Sequence, residues 1–78
     1  MAREEPEEHT EIRCHLGELL KARSMTLVEL SERVDISVVN LSILKNNRAK
    51  AMRFSTLQAI CKALDCEVGE LLSYAPVR

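Results

Sequence analysis

Aromatic residues are nearly absent from this sequence: its 78 residues include one phenylalanine, one tyrosine and no tryptophan. Hydrophobic residues still make up 46% of the chain, so a core has to be built from leucine, isoleucine and valine. That composition favours a bundle of short helices over an all-β sandwich. A core this small lies near the lower limit at which one domain is stable alone, so dimerisation would stabilise the protein.

Long hydrophobic runs are also missing. No apolar stretch approaches the roughly 20 residues that a membrane-spanning helix needs. The first residues are acidic, which is unlike a signal peptide. We therefore expect a cytoplasmic protein with no membrane partner.

The three cysteines and two histidines show no metal-binding spacing. There is no C-x-x-C pair, and the odd cysteine count argues against a disulfide framework. Cys61 falls on the apolar stripe of a predicted helix, which indicates a buried thiol. Cys14 and His15 are adjacent and would point about 100° apart on a helix, so they form no nucleophile and base pair. We predict no enzymatic activity, no metal, no cofactor and no small-molecule ligand.

The charge is divided unevenly along the chain. Residues 1–11 carry five glutamates and one arginine, a net charge of −4, whereas residues 12–78 carry ten basic and seven acidic residues, a net charge of +3. The first segment contains a proline and few apolar residues to bury. We therefore predict an acidic, disordered tail over residues 1–11 and a folded domain over residues 12–78.

No aspartate or glutamate occurs between Ile36 and Leu64. This stretch carries five cations, Lys45, Arg48, Lys50, Arg53 and Lys62. The local excess of positive charge predicts a surface that binds phosphates, although the net charge of the whole chain is −1. The alternative is an ordinary solvated surface, where charged residues mostly lie.

The stretch from Thr26 to Arg48 predicts two short helices joined by a turn. Thr26 and Glu29 have the spacing of a capping box, which starts one helix over residues 27–34. Its inner face consists of Leu27, Leu30 and Val34. Because this periodicity breaks at the following residues, we predict a sharp turn there.

Asp35 occupies that turn, and Ser37 is the predicted N-cap of the next helix, over residues 38–46. Leu41 and Leu44 continue the inner face. Two asparagines then close the helix, because asparagine tolerates left-handed backbone conformations.

Three more helices are predicted around this pair. The first spans residues 12–23, although residues 12–14 are equally compatible with a short strand that pairs with a second subunit. The fourth begins after an N-cap at Ser55, and a short fifth helix spans residues 68–72. The inner stripe of the fourth helix consists of Leu57, Ile60, Cys61 and Leu64.

This arrangement resembles the Cro/C1-type (Xre-like) family of helix-turn-helix transcriptional regulators. The resemblance extends from Ile12 to Leu72 and is strongest in the capped helix, the turn and the second helix ending in Asn-Asn-Arg. The motif Leu-Asp-Cys-Glu-Val-Gly-Glu-Leu-Leu at residues 64–72 resembles a small phage- and plasmid-type branch. The resemblance implies an all-α, five-helix, lambda-repressor-like DNA-binding domain, with a short N-terminal strand as a variant.

It also implies a repressor that binds duplex DNA as a homodimer, with the helix over residues 37–46 in the major groove. The residues expected to contact bases are Ser37, Val38, Val39, Asn40 and Ile43. Those expected to contact phosphates are Thr26, Leu27, Lys45, Asn46, Asn47, Arg48, Lys50 and Arg53. For the dimer interface we consider Tyr74 and Val77, which alternatively cover the end of the core.

Val38, Val39 and Ile43 depart from the family, in which these positions are usually polar or charged. Three interpretations are open: a surface for thymine methyl groups, a patch that binds a protein, or side chains that are more buried than the helical register implies. The second leads to an alternative function, an antitoxin-like or adaptor module with weak or lost DNA binding.

Overall fold

The computed structural model describes residues 11–76. This part of the chain forms five helices and two short strands. In chain order they are β1 (Ile12–Cys14), α1 (Leu16–Ala22), α2 (Leu27–Val34), α3 (Val38–Lys45), α4 (Phe54–Leu64), α5 (Val68–Leu71) and β2 (Leu72–Tyr74). The predicted acidic tail lies outside the described residues except for Glu11. Within the described range no helix is long and apolar enough to span a bilayer.

The core consists almost entirely of leucine, as the lack of aromatic residues predicts. It joins one to three side chains from every helix, so each helix contributes its apolar stripe to one common interior. No polar or charged residue in the described part is buried. The buried residues are Leu16, Leu19, Leu20, Leu30, Leu41, Leu44, Ile60, Leu64 and Leu71.

The two strands form an antiparallel pair within one chain, with Arg13 opposite Ser73. A backbone hydrogen bond from His15 N–H to the Leu71 carbonyl, at 2.7 Å, continues the pairing into the helices. The strand alternative for residues 12–14 is therefore confirmed. Within the chain the strand pairs with β2, and its pairing with a second subunit stays a prediction.

Two predicted helix starts change for local reasons, and the helices predicted to end at residues 23, 46 and 72 each end one residue earlier. The first helix begins at Leu16 because the preceding residues form β1. The fourth helix begins at Phe54, with Arg53 as an N-cap that makes no side-chain hydrogen bond. Ser55 is thus the second residue of this helix and not its cap. The first bond of the helix runs from Leu57 N–H to the Arg53 carbonyl, at 3.0 Å.

Candidate nucleic-acid interface

Helix α2 begins with the predicted capping box. The Thr26 hydroxyl oxygen accepts a hydrogen bond from Glu29 N–H at 3.0 Å, and the Glu29 carboxylate accepts one from Thr26 N–H at 2.8 Å. Two backbone groups that a helix start leaves unpaired are thereby satisfied. The side chain of Leu27 is half-buried and packs against the core. Its predicted phosphate contact would therefore have to be made by its backbone N–H.

The turn between α2 and α3 is fixed by two local features. Asp35 adopts the left-handed conformation at φ 58°, which aspartate tolerates better than most residues. Ser31 donates a hydrogen bond from its hydroxyl to the Ile36 carbonyl at 2.6 Å. The turn then delivers Ser37 to the start of α3, where its hydroxyl oxygen accepts from Asn40 N–H at 3.1 Å. These bonds fix the geometry of the turn and the residue at which α3 begins.

All five residues expected to contact bases lie on the exposed side of α3. We call this set, Ser37, Val38, Val39, Asn40 and Ile43, the reading face. The exposed fractions are 39% for Val38, 69% for Val39 and 39% for Ile43, and Ser37 and Asn40 are exposed. The interpretation that the aliphatic side chains are buried is therefore wrong.

Residues 46–53, which follow α3, form the segment that we call the basic loop. Asn47 is left-handed at φ 60°, Arg48 N–H bonds to the Ile43 carbonyl at 3.0 Å, and Asn47 N–H bonds to the Leu44 carbonyl at 3.1 Å. This is a Schellman motif, in which the side chains of the outer pair lie close together. The motif thus places Arg48 beside Ile43, at the edge of the reading face.

Three predicted phosphate contacts have additional roles within the chain. The side-chain oxygen of Asn47 accepts a hydrogen bond from Cys14 N–H at 2.6 Å and so connects the basic loop to β1. The carbon stem of Lys45 lies across α1, where a Cβ at Gly17 would be 3.3 Å from Lys45 Cε. The Asn46 amide donates to the Ser42 hydroxyl oxygen at 3.3 Å.

A concave groove of about 690 Å³ brings part of the predicted site together. It lies between the turn, the exposed side of α3, the basic loop and the start of α4. From the predicted set it is lined by Ser37, Asn40, Ile43, Arg48, Lys50 and Arg53. The groove lining excludes Thr26, Leu27, Val38, Val39, Lys45, Asn46 and Asn47.

Sequence reasoning overlooked two residues in the first turn of α4. Thr56 lines the groove, whereas Phe54 is outside the groove lining and has an exposed fraction of 86%. Both follow directly from the early start of α4, because a helix over residues 54–64 turns Thr56 inward and Phe54 outward. The sequence signal that could have drawn attention to this turn was the single phenylalanine, Phe54, directly after the cation Arg53.

The cysteines and histidines of the described part do not form a metal site. No group of three or more histidine, cysteine, aspartate or glutamate side chains in residues 11–76 could hold a metal ion. His15 instead connects two elements: its Nε2 lies 2.7 Å from the Ser73 hydroxyl oxygen, and its Nδ1 lies 3.4 Å from a Glu18 carboxylate oxygen. Burial raises the pKa of the Cys14 thiol, so that thiol is less reactive than an exposed one.

A capped helix pair with an exposed second helix and an adjacent basic loop defines a helix-turn-helix DNA-binding protein. The chain belongs to the family of the Cro/C1-type HTH DNA-binding domain, whose model matches residues 15–76. It is 61% identical over 56 residues to YozG, an uncharacterized HTH-type transcriptional regulator of Bacillus subtilis (strain 168). That match covers 72% of this chain and 67% of YozG.

The fold is similar to that of a solved regulator, VanUg in its crystal form II. The TM-score is 0.68 at 26% sequence identity, and the match covers 99% of this chain and 100% of the VanUg chain. The protein is therefore a DNA-binding transcriptional regulator with a helix-turn-helix domain.

Proposed function

We propose that this regulator is a sequence-specific repressor, which places α3 in the major groove of duplex DNA. One observation supports this most strongly: cations of the basic loop line the same groove as Asn40 and Ile43 of the reading face. When α3 contacts base edges, Arg48 and the neighbouring cations of the basic loop would therefore be within reach of the DNA phosphates. Because the proposed ligand is duplex DNA, we infer a cytoplasmic location for the protein. The proposed repression includes no enzymatic step.

The chemistry of the reading face favours sites rich in A·T pairs. The major groove is about 12 Å wide and admits a helix. Asn40 carries an amide that can form a bidentate pair with adenine, whereas Val38 and Val39 can contact only apolar features such as the thymine methyl group. We propose that this combination sets the operator preference.

Binding strength in the proposed complex comes mainly from phosphate contacts. Arg48, Lys50 and Arg53 are exposed, and no acidic residue lies between positions 36 and 64 to offset them. The N-terminus of α2 adds backbone N–H groups, to which the Thr26 hydroxyl is adjacent.

We further propose that the protein binds as a homodimer. Two copies of α3 would then meet successive major grooves about 34 Å apart on a pseudo-palindromic operator. Tyr74 has an exposed fraction of 69%, so it does not cover the end of the core and remains a candidate for the interface. Val77, the other candidate, lies outside the described residues. Light scattering at tens of micromolar protein tests the dimer, which a monomeric mass would exclude.

The decisive experiment measures the salt dependence of DNA binding by fluorescence anisotropy. The labelled duplex comes from the region upstream of the gene and is titrated at about 50 and about 200 mM salt. The variant Arg48→Ala/Lys50→Ala should lower the slope of log K against log salt by about two, since each lost phosphate contact removes about one.

The matched control is Arg13→Ala/Lys21→Ala. It removes the same charge from β1 and from the last turn of α1, where both side chains are exposed, and should leave the slope unchanged. Equal slopes for the two double variants would contradict phosphate binding by the basic loop.

A second candidate function is supported by the exposure of Val38, Val39 and Ile43. Apolar side chains that are exposed together often mark a protein interface, so an antitoxin-like or adaptor role would use the same face. No binding to any duplex at low salt, for a folded protein, would favour this candidate over the repressor.

A further inference from the structure

Helix α4 ends in a motif that brings two cysteines together. Asp65 is left-handed at φ 52°, Cys66 N–H bonds to the Cys61 carbonyl at 3.0 Å, and Asp65 N–H bonds to the Lys62 carbonyl at 3.3 Å. This is again a Schellman motif, whose outer pair of side chains makes contact across the helix end. In α4 that pair is Cys61 and Cys66.

The two thiols share one environment. Both side chains are half-buried and line the same shallow depression beside Glu67 and Glu70. The Cys61 thiol is also near enough to Cys66 to contribute to the raised pKa of that thiol. The pair is thus adjacent through side chains as well as through the backbone.

The backbone between the two cysteines is held from outside the helix. Arg23, which ends α1, donates from Nε to the Leu64 carbonyl at 2.7 Å and from Nη2 to the Asp65 carbonyl at 3.1 Å. These bonds fix the left-handed turn that brings the thiols together. The juxtaposition is therefore preorganised by tertiary structure and not by the helix end alone.

We propose that Cys61 and Cys66 are a dithiol modification site, which exchanges with a low-molecular-weight disulfide to form an intramolecular disulfide. One thiol loses its proton and attacks a sulfur of the reagent, so that a mixed disulfide forms and one reagent thiolate leaves. The second protein thiolate then attacks the mixed disulfide and expels the other reagent thiolate. The two cysteines are oxidised, and the reagent is reduced to two thiols.

Attack by Cys66 is slow near neutral pH and faster in alkali. Desolvation by burial, and to a smaller extent the neighbouring Cys61 thiol, raise the pKa of Cys66 to about 11. Because the thiolate is the nucleophile, the rate of attack by Cys66 should increase by up to about tenfold for each pH unit below that value.

The test uses the wild-type chain and oxidised glutathione as the probe, at about pH 8.5, followed by acid quenching and tryptic mass spectrometry. Trypsin places the three cysteines on separate peptides, residues 14–21, 54–62 and 63–78. The expected product is a disulfide that joins peptides 54–62 and 63–78, in a protein that is still monomeric by non-reducing gel. Cys14 should appear unpaired or as a glutathione adduct.

Single-cysteine controls distinguish the pair from two independent thiols. In Cys61→Ser and in Cys66→Ser the remaining partner should keep its glutathione, because no second thiol is near enough to expel it. Stable glutathione adducts on both cysteines of the wild type would overturn the proposal. So would a disulfide that involves Cys14, or two thiols that stay reduced while the same protein reacts fully in urea.

Discussion

Helices α3 and α4 end in the same backbone motif, but the two ends are used differently. At each end a left-handed residue, Asn47 or Asp65, turns the chain so that the next residue meets the helix. In α3 this brings Arg48 to the reading face, and in α4 it brings Cys66 to a second cysteine. A Schellman motif therefore sets only the backbone geometry, and the side chains at its outer positions determine the chemistry.

The starts of the two helices differ as well. Ser37 caps α3 through its hydroxyl, whereas the first turn of α4 has no side-chain cap. The α3 start is thus completed within the chain, and the α4 start leaves backbone N–H groups beside the basic loop. A local side-chain bond therefore specifies the start of α3 but not that of α4.

The largest effect is expected on DNA-binding affinity. A negative charge added to α3 should weaken DNA binding far more than the same charge added to α4. Val39→Glu places a carboxylate on the reading face and should weaken DNA binding by more than about 3 kcal/mol, or over 100-fold, because it repels phosphates and displaces an apolar contact. Gln58→Glu adds the same charge to an exposed position of α4 and should have little effect in the same anisotropy assay. Similar losses for both variants would show that α3 has no special role.

The next largest effect is on the free energy of unfolding, and it differs between Asn47 and Asp65, the left-handed residues that follow α3 and α4. Asn47→Ala should lower the free energy of unfolding by about 2 kcal/mol, because it combines a left-handed alanine with the loss of the hydrogen bond from Cys14 N–H. Asp65→Ala incurs only the conformational cost and should lose about 1 kcal/mol. Urea unfolding of both variants measures the difference, and equal losses would mean that the bond to β1 contributes nothing.

A smaller effect compares the helix starts. Ser37→Ala removes the cap of α3 and should cost about 1 kcal/mol. Ser55→Ala, in the uncapped first turn of α4, should change the stability by less than about 0.5 kcal/mol. Both values follow from urea unfolding, and a larger loss at Ser55 would restore it as the N-cap.

The smallest effect concerns pH. The folded state raises the pKa of Cys66 from 9.0 to about 11, so it favours the neutral thiol. This contribution is fully present below about pH 9 and is lost as the pH rises towards 11. The melting temperature of the wild type should therefore fall more steeply over that interval than that of Cys66→Ser. Parallel curves would contradict a thiol that folding keeps neutral.

Local chemistry made the central elements predictable. The bounds of α2, its capping box at Thr26, the turn at Asp35 and the cap at Ser37 each depend on residues within a few positions of one another. Such contacts can be recognised in the sequence from the types and spacing of the residues. The exposure of the reading face followed in the same way, from the positions of Leu41 and Leu44 on the opposite side.

Contacts between distant segments were not predictable in this way. The pairing of β1 with β2, the bond from Cys14 N–H to Asn47 and the packing of Lys45 on Gly17 join residues that are far apart in the chain. The start of α4 was misplaced for a related reason, because this helix begins without a side-chain cap. No periodicity or cap residue encodes such contacts, since either partner alone is compatible with several structures.

The sequence by itself therefore determined a leucine core, the capped pair of helices and a stretch rich in positive charge, because each depends on composition or on spacing of three to four residues. Only the tertiary structure decided which cations share a groove with α3 and which segment pairs with β1. The physical reason is that these contacts form when separate elements pack on the common core, and their geometry exists only once that packing is complete.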